Sequence, residues 1–387
     1  MKELNRGLAE RGTTIFAIMS SLALEQGAIN LGQGFPDEDG PADIIEHASQ
    51  ALLDGQNQYP PMMGVDALRQ EVAAHNKRFY GLEVDWQSEV MVTSGATEAL
   101  ADCFFGILQP GDEVIVLEPA YDSYIPIIER AGATAKVVEL VAPHWELPKE
   151  TLADAFGPRT KAIVVNSPMN PTGKVFSDDE LTFIADLVQA HDAYAICDEV
   201  YEHLVFDGVG HIPLMTLPGM RERSVRIGSA GKTFSLTGWK VGYITAPENL
   251  MRGISRAHQY TTYTTPPALQ LAVAYGLSKP DSYFETLAQV MQDKRDLIRQ
   301  ALSSIGFDMA PCHGTYFVTG DYSQTGLRGT ADEVCRQLTI EAKVASIPMG
   351  PFYSGDWDGK ILRFCFCKKR DVLTEAAERL RRYMNTH

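Results

Sequence analysis

The sequence predicts an α/β protein, with a large domain built on a mostly parallel central sheet flanked by helices and a smaller α+β domain after it. Three observations predict this. From about residue 89 to 246, short apolar runs alternate with segments of helical spacing, the pattern of a parallel sheet covered by helices. After about residue 285 a long charged helical pattern leads into strands and helices of a different texture. The 387 residues, 45% hydrophobic and 22% charged, suit one large or two ordinary globular domains.

In chain order, the first 40 residues form an apolar, turn-rich arm containing INLGQGFPDEDGP. The arm is expected to pack on the small unit or on a partner chain. The large domain is placed at 41–285. Its expected strands are EVMVT (89–93), EVIVLE (113–118), AKVVEL (135–140), AIVVN (162–166), AYAICD (193–198), SVRIGS (224–229) and WKVGYITA (239–246). Between them, TEALADCFFGIL (97–108) has helical spacing. So has SDDELTFIADLVQAH (177–191), opened by Ser177 with Glu180 three residues on, a capping box. The small domain is placed at 286–387, with GTYFVTGDY, a helix, KILRFCFC and a final helix.

Composition narrows the function classes. A net charge of −16 repels nucleic acid and anionic membrane. No run of 18 apolar residues is present, so no membrane-spanning helix is expected. The first 20 residues lack the pattern of a signal peptide. Six sparse cysteines, most of them in apolar runs, point to buried thiols in a reducing cytoplasm. Cys365 and Cys367 are expected to share a strand face, but no second Cys or His pair accompanies them, so no metal site is assigned.

Parallel sheets place ligands at the carboxyl ends of their strands, and these positions carry distinctive residues. After EVMVT, the small residues Ser94, Gly95 and Ala96 with Thr97 open a helix whose free N–H groups can hold an anion or serve as an ordinary cap. Tyr121 follows another strand and can stack on a flat ligand or fill a rim. Asn170, in the turn NPTG after AIVVN, presents an amide at the same edge. Asp198 ends an apolar strand, where a carboxylate needs a cationic partner: a protonated ring nitrogen, a metal, or only a helix start. Tyr201 lies three residues further on. Arg363, in the apolar strand ILRFCF, calls for a carboxylate or phosphate, bound or structural.

The stretch SAGKTFSLTGWK (229–240) has the look of a phosphate loop around Gly231, Lys232 and Thr233. A P-loop requires Gly five residues before Gly231, and that position is Arg226. A dinucleotide fingerprint fails likewise, because Asp37 stands where the third Gly would follow Gly32 and Gly34. The alternative is that Lys232 is a reactive amine which bonds a carbonyl.

SGATEAL, EPAYDSY, NPTGKV, DEVYEHLVF, SAGKTFSLTGWKVGY and RFCF follow one another in an order and spacing that covers nearly the whole chain. In this the chain resembles the fold-type I, pyridoxal-5′-phosphate-dependent aminotransferases of the aspartate aminotransferase superfamily. INLGQGFPD and NQYPPMMGVDALR point to the branch of methionine aminotransferase, kynurenine aminotransferase and glutamine transaminase K.

The resemblance implies that Lys232 bonds the cofactor aldehyde and that Asp198 pairs with the pyridine nitrogen. It implies that Tyr201 and Asn170 meet the ring oxygen and that Tyr121 stacks on the ring. Ala96, Thr97, Ser229 and Lys240 would hold the phosphate. Lys240 stands where aspartate aminotransferases carry Arg, as in the kynurenine branch. Tyr59 would reach the phosphate of the other subunit of a homodimer. Arg363, with Asn170 and the Gly34 backbone, would grip the substrate carboxylate. Once displaced from the cofactor, the Lys232 amine would move the substrate Cα proton, in two half-reactions with ping-pong kinetics.

No second Arg is evident for an acidic side chain, Arg11 and Arg256 being read as surface charges. Ile15, Phe16, Phe35, Tyr59 and Tyr263 are the expected walls. They favour neutral, apolar or aromatic substrates: methionine, phenylalanine, kynurenine or glutamine. Cysteine-S-conjugate β-lyases share this scaffold and lysine. Non-catalytic relatives that regulate transcription add a basic DNA-binding domain, which this acidic chain, its arm motif starting near the first residue, is expected to lack.

Overall fold

The computed structural model describes Lys2 and residues 12–386; Arg11 lies outside the described residues. Seven strands form the central sheet: β2 (Val90–Thr93), β3 (Glu113–Glu118), β4 (Thr134–Glu139), β5 (Thr160–Asn166), β6 (Tyr194–Asp198), β7 (Ser224–Ser229) and β8 (Gly242–Thr245). Their order is β2-β8-β7-β6-β5-β3-β4. All pairings are parallel except those of β8, which runs antiparallel to both β2 and β7. The strands are near-continuous Val/Ile/Ala runs because helices cover both faces of the sheet. β5 and β6 are buried through all but one residue each.

The helices start where their caps put them. Ser177 Oγ accepts from Glu180 N at 3.2 Å, and Ser177 N donates to Glu180 Oε2 at 3.0 Å, so the capping box opens the helix Asp178–Ala190. The strand expected over 239–246 is shorter than its apolar pattern. Thr237–Trp239 forms a single tight turn and Lys240 takes a left-handed conformation with φ of 55°, so pairing begins only at Gly242.

The small sheet has the order β12-β13-β10-β9, with β9 (Asp308–Met309), β10 (Phe317–Asp321), β12 (Ile347–Pro348) and β13 (Ile361–Cys365) all antiparallel. The arm packs on this unit of its own chain: β1 (Ile29–Asn30) pairs in parallel with β11 (Val344–Ala345). The charged helix Asp281–Ser303 starts after Pro280 and runs through residue 285. No described helix is long and apolar enough to cross a membrane. All six cysteines are buried and free, and Cys365 and Cys367 share a face with their sulfurs 3.1 Å apart.

Arg226, the residue that breaks the P-loop spacing, anchors a buried polar cluster beneath the sheet. It donates to Glu199 Oε2 at 2.7 Å, to Glu202 Oε2 at 3.0 Å and to Asn76. Beside it the Nε2 atoms of His75 and His203 lie 2.7 Å apart, so one ring donates and the other accepts, and both are neutral. Burial pushes His75 down to about 4 and His203 down to about 3. The unfolded chain protonates these rings near 6.5, so their contribution is fully present above that pH and is lost as pH falls toward 4. The unfolding free energy from urea titration is therefore expected to hold down to about pH 6.5 and to fall below it, by roughly 2 kcal/mol per histidine at about pH 5, with a matching drop in the midpoint. A midpoint flat between about pH 6.5 and 5 would contradict the neutral pair.

Candidate active site

β5, β6 and β7 run parallel and end side by side at Asn166, Asp198 and Ser229. A cavity of about 190 Å³ opens at this edge. Its walls include Ala96, Thr97, Tyr121, Asn170, Asp198, Tyr201, Ser229, Lys232 and Lys240. Residues spread over 145 positions of sequence thus share one space because each follows a strand of the same sheet.

One corner is built for an anion. The turn after β2 has Gly95 at a φ of 78°, and a Cβ there would meet Lys240 Cε at 3.2 Å and Nζ at 3.3 Å. Only glycine permits that turn with the Lys240 amine against it. Ser94 N is taken by Glu98 and Gly95 N by the Thr93 carbonyl at 2.8 Å. The N–H groups of Ala96 and Thr97, at the start of the helix Ala96–Ile107, remain for a ligand. Ser229 lies across from them, at the end of β7.

Lys232 follows in the single helical turn Ala230–Thr233. Its Nζ donates to Tyr316 Oη at 2.9 Å, and Tyr316 Oη donates to the Gly34 carbonyl at 2.7 Å. Burial pushes the lysine below the usual ammonium range, against the opposing pull of Asp198. A lysine so placed is more readily a neutral nucleophile or base.

At the far edge, Asp198 Oδ2 accepts from Tyr124 Oη at 2.6 Å, while Oδ1 is buried without a partner. Burial raises this carboxyl. A buried oxygen with a free lone pair fits a cationic N–H partner, which would return the group to its ionised form. Tyr121 faces both this cavity and the next, as a ring wall. A flat ligand with an aldehyde, a ring nitrogen and a phosphate therefore finds an amine, an orphaned carboxylate and an anion corner in one space, and the residues fit pyridoxal phosphate.

A second cavity, of about 230 Å³, shares Tyr121, Asn170, Tyr201 and Lys232 with the first and adds Phe16, Gly34, Phe317 and Arg363. Arg363 sits on β13, 1% exposed. It donates to Asn170 Oδ1 at 3.0 Å and to the Gly32 carbonyl at 2.7 Å. Its guanidinium lies 4.0 Å from the Phe317 ring centroid and 5.2 Å from that of Phe16, while its Nε is buried without a partner. Burial lowers it to about 10. No ion pair within 4 Å joins it to another described residue, so its charge is available to a ligand carboxylate. The Gly34 carbonyl is taken by Tyr316, which leaves the Gly34 N–H.

Tyr59 and Tyr263 lie apart from both cavities. Their rings meet edge to face at 5.7 Å, and Tyr59 is 83% exposed on the surface. Phe35 and Phe16 border the second cavity. Sequence reasoning missed Tyr124, Tyr316, Asn166 and Phe317. For Tyr124 a signal existed, three residues after Tyr121 in EPAYDSY. For Tyr316 none did, since its bond to Lys232 spans 84 positions.

Residues 26–380 match the family model for aminotransferase class I and II. A probable N-succinyldiaminopimelate aminotransferase of Mycobacterium tuberculosis is 43% identical over 379 residues, covering 95% of each chain. The methionine aminotransferase of Escherichia coli is 40% identical over 376 residues, covering 97% of each. A solved Escherichia coli structure, described as having a methionine aminotransferase function, superposes with a TM-score of 0.96 at 39% identity over 99% of this chain and 100% of that one.

Proposed function

The chain belongs to the class I and II aminotransferases, and on that premise we propose that it moves the amino group of a neutral apolar or aromatic amino acid to a 2-oxo acid, with pyridoxal phosphate as cofactor. Methionine, phenylalanine, kynurenine and glutamine are the donor types. The observation that most supports this is the orphaned Asp198 Oδ1 in the same cavity as the depressed amine of Lys232.

When bound, the cofactor supplies an aldehyde for covalent capture of the amine and a ring that delocalises negative charge from Cα. Ala96 and Thr97 N–H, Ser229 and Lys240 would hold its phosphate, Tyr121 would cover its face, and Tyr201 and the Asn170 amide would meet its oxygen. Asp198 would hold a proton on the ring nitrogen, with Tyr124 orienting that carboxylate. Arg363, Asn170 and the Gly34 N–H orient the substrate carboxylate so that Cα lies over Lys232. The neutral Lys232 amine would take the proton from Cα, and the bound cofactor would supply the sink for the electron pair left there. Two such half-reactions give ping-pong kinetics.

Phe16 and Phe317, which line the substrate cavity, support uncharged side chains. Exposed Leu53, Tyr59, Tyr260 and Tyr263 support a homodimer in which Tyr59 reaches the partner's phosphate and Tyr263 its substrate pocket. A division into an arm (1–40), a large domain (41–285) and a small domain (286–387) accompanies this reading, with the small domain carrying Arg363. The buried thiols support a reducing cytoplasm.

The testing experiment screens the twenty amino acids, kynurenine and N-succinyldiaminopimelate against a panel of 2-oxo acids. Neutral donors are expected to lead. Preference for N-succinyldiaminopimelate would overturn the substrate class, and pyruvate with ammonia from a cysteine conjugate without an acceptor would favour β-elimination. Arg363→Lys keeps the charge and loses the fork. It is expected to raise KM for donor and acceptor by roughly 10- to 100-fold, measured by steady-state kinetics. An unchanged KM would remove Arg363 from the carboxylate site.

A further inference from the structure

The helices Ala96–Ile107 and Glu248–Thr261 approach so closely that a Cβ on Gly106 would lie 2.7 Å from the Gly253 backbone. A charged cluster is sealed between them. His258, 0% exposed, has Nδ1 2.9 Å from Glu98 Oε1 and 3.3 Å from Asp102 Oδ2. Its Nε2 lies 3.1 Å from the Met62 carbonyl. Both ring nitrogens thus face acceptors, which is the environment of an imidazolium. Burial opposes that charge, but Asp102 and Glu98 outweigh it and hold His258 up at about 9. Burial raises Asp102. Against its own burial, Glu98 is held below the ordinary range by His258, Thr262 and Ser94.

The cluster touches the anion corner directly. Glu98 Oε2 accepts the Ser94 N–H, the first residue of the turn that ends in the free N–H groups of Ala96 and Thr97. A bare carboxylate one residue past Thr97 would oppose a phosphate dianion there. On the other side, Met62 is three residues past Tyr59.

We propose that His258 is a positioning residue for the cofactor phosphate: its charge neutralises Glu98, which can then pin the turn without repelling the anion, and its second N–H fastens that turn to the Tyr59 loop. The inference rests on the phosphate placement given above. It extends the phosphate site to a residue 160 positions from Glu98 that no ligand touches.

The test titrates apo wild type, His258→Gln, Glu98→Gln and the double variant with pyridoxal phosphate and with pyridoxal, which lacks the phosphate. His258→Gln is expected to weaken pyridoxal phosphate about tenfold and to leave pyridoxal within about twofold. The double variant recovers most of the loss, because Glu98, the carboxylate that holds the turn, is no longer charged, while Asp102, which does not touch the turn, is pushed toward its neutral form by burial. Glu98→Gln alone binds pyridoxal phosphate at least as tightly as wild type, and it decides the matter if His258→Gln does not fold. Equal losses for both ligands, an unchanged affinity in His258→Gln, no recovery in the double variant, or a weakened Glu98→Gln would each overturn the proposal. Wild type that binds no pyridoxal phosphate would sink the functional reading itself. Tight wild-type binding with unchanged variants would sink only this inference.

Discussion

Lys232→Ala is expected to fold normally and to lose turnover by roughly 10⁴-fold or more. Among the described residues Lys232 carries the one amine that lines both cavities, and the substitution removes it. Lys240 also borders the first cavity, but its Nζ lies against Gly95 in the anion corner and cannot reach Cα of a substrate held by Arg363. Removing Lys232 leaves the Tyr316 hydroxyl without that partner but still donating to Gly34, so the fold loses little. The check is kcat against each donor beside a thermal melt of the same protein. Near-normal turnover in a folded variant would remove Lys232 from the mechanism.

Asp198→Ala is expected to cut turnover by roughly 10³-fold while leaving the apo protein as stable as wild type or more so. Without a cationic partner, Asp198 is a buried carboxyl raised by its surroundings, with one oxygen orphaned. Such a group opposes folding unless it is compensated, and removing it relieves that cost at the expense of the lost Tyr124 hydrogen bond. The two effects together separate a functional carboxylate from a structural one. Melting temperature of the apo form and kcat of the reconstituted form measure them. A large loss of apo stability with little loss of turnover would assign Asp198 to the fold.

Much of this was legible because a parallel sheet puts its ligands at the strand ends. Asp198, Asn170 and Tyr121 could be picked out by their position after apolar runs, and the structure gathers them around one cavity. The Ser177–Glu180 cap was legible because both of its bonds are local. Contacts made across the fold were not. Tyr316 reaches Lys232 from the small sheet, and His258 reaches Glu98 from a helix that carries no local sign of it. The end of the strand pattern at Trp239 and Lys240 was misread because a left-handed lysine has no composition signal; the close packing of Gly95 and Gly242, whose Cβ would lie 2.7 Å from Gly95, explains it. Tyr59 and Tyr263 lie exposed on the surface, apart from both cavities.

The most direct measurement follows the visible absorbance of the protein reconstituted with pyridoxal phosphate, in two separated steps. A neutral amino donor such as methionine, added alone, is expected to bleach the visible band stoichiometrically and release its keto acid. A 2-oxo acid added after the donor is removed is expected to restore the band. A band that no donor bleaches would contradict amino transfer at Lys232.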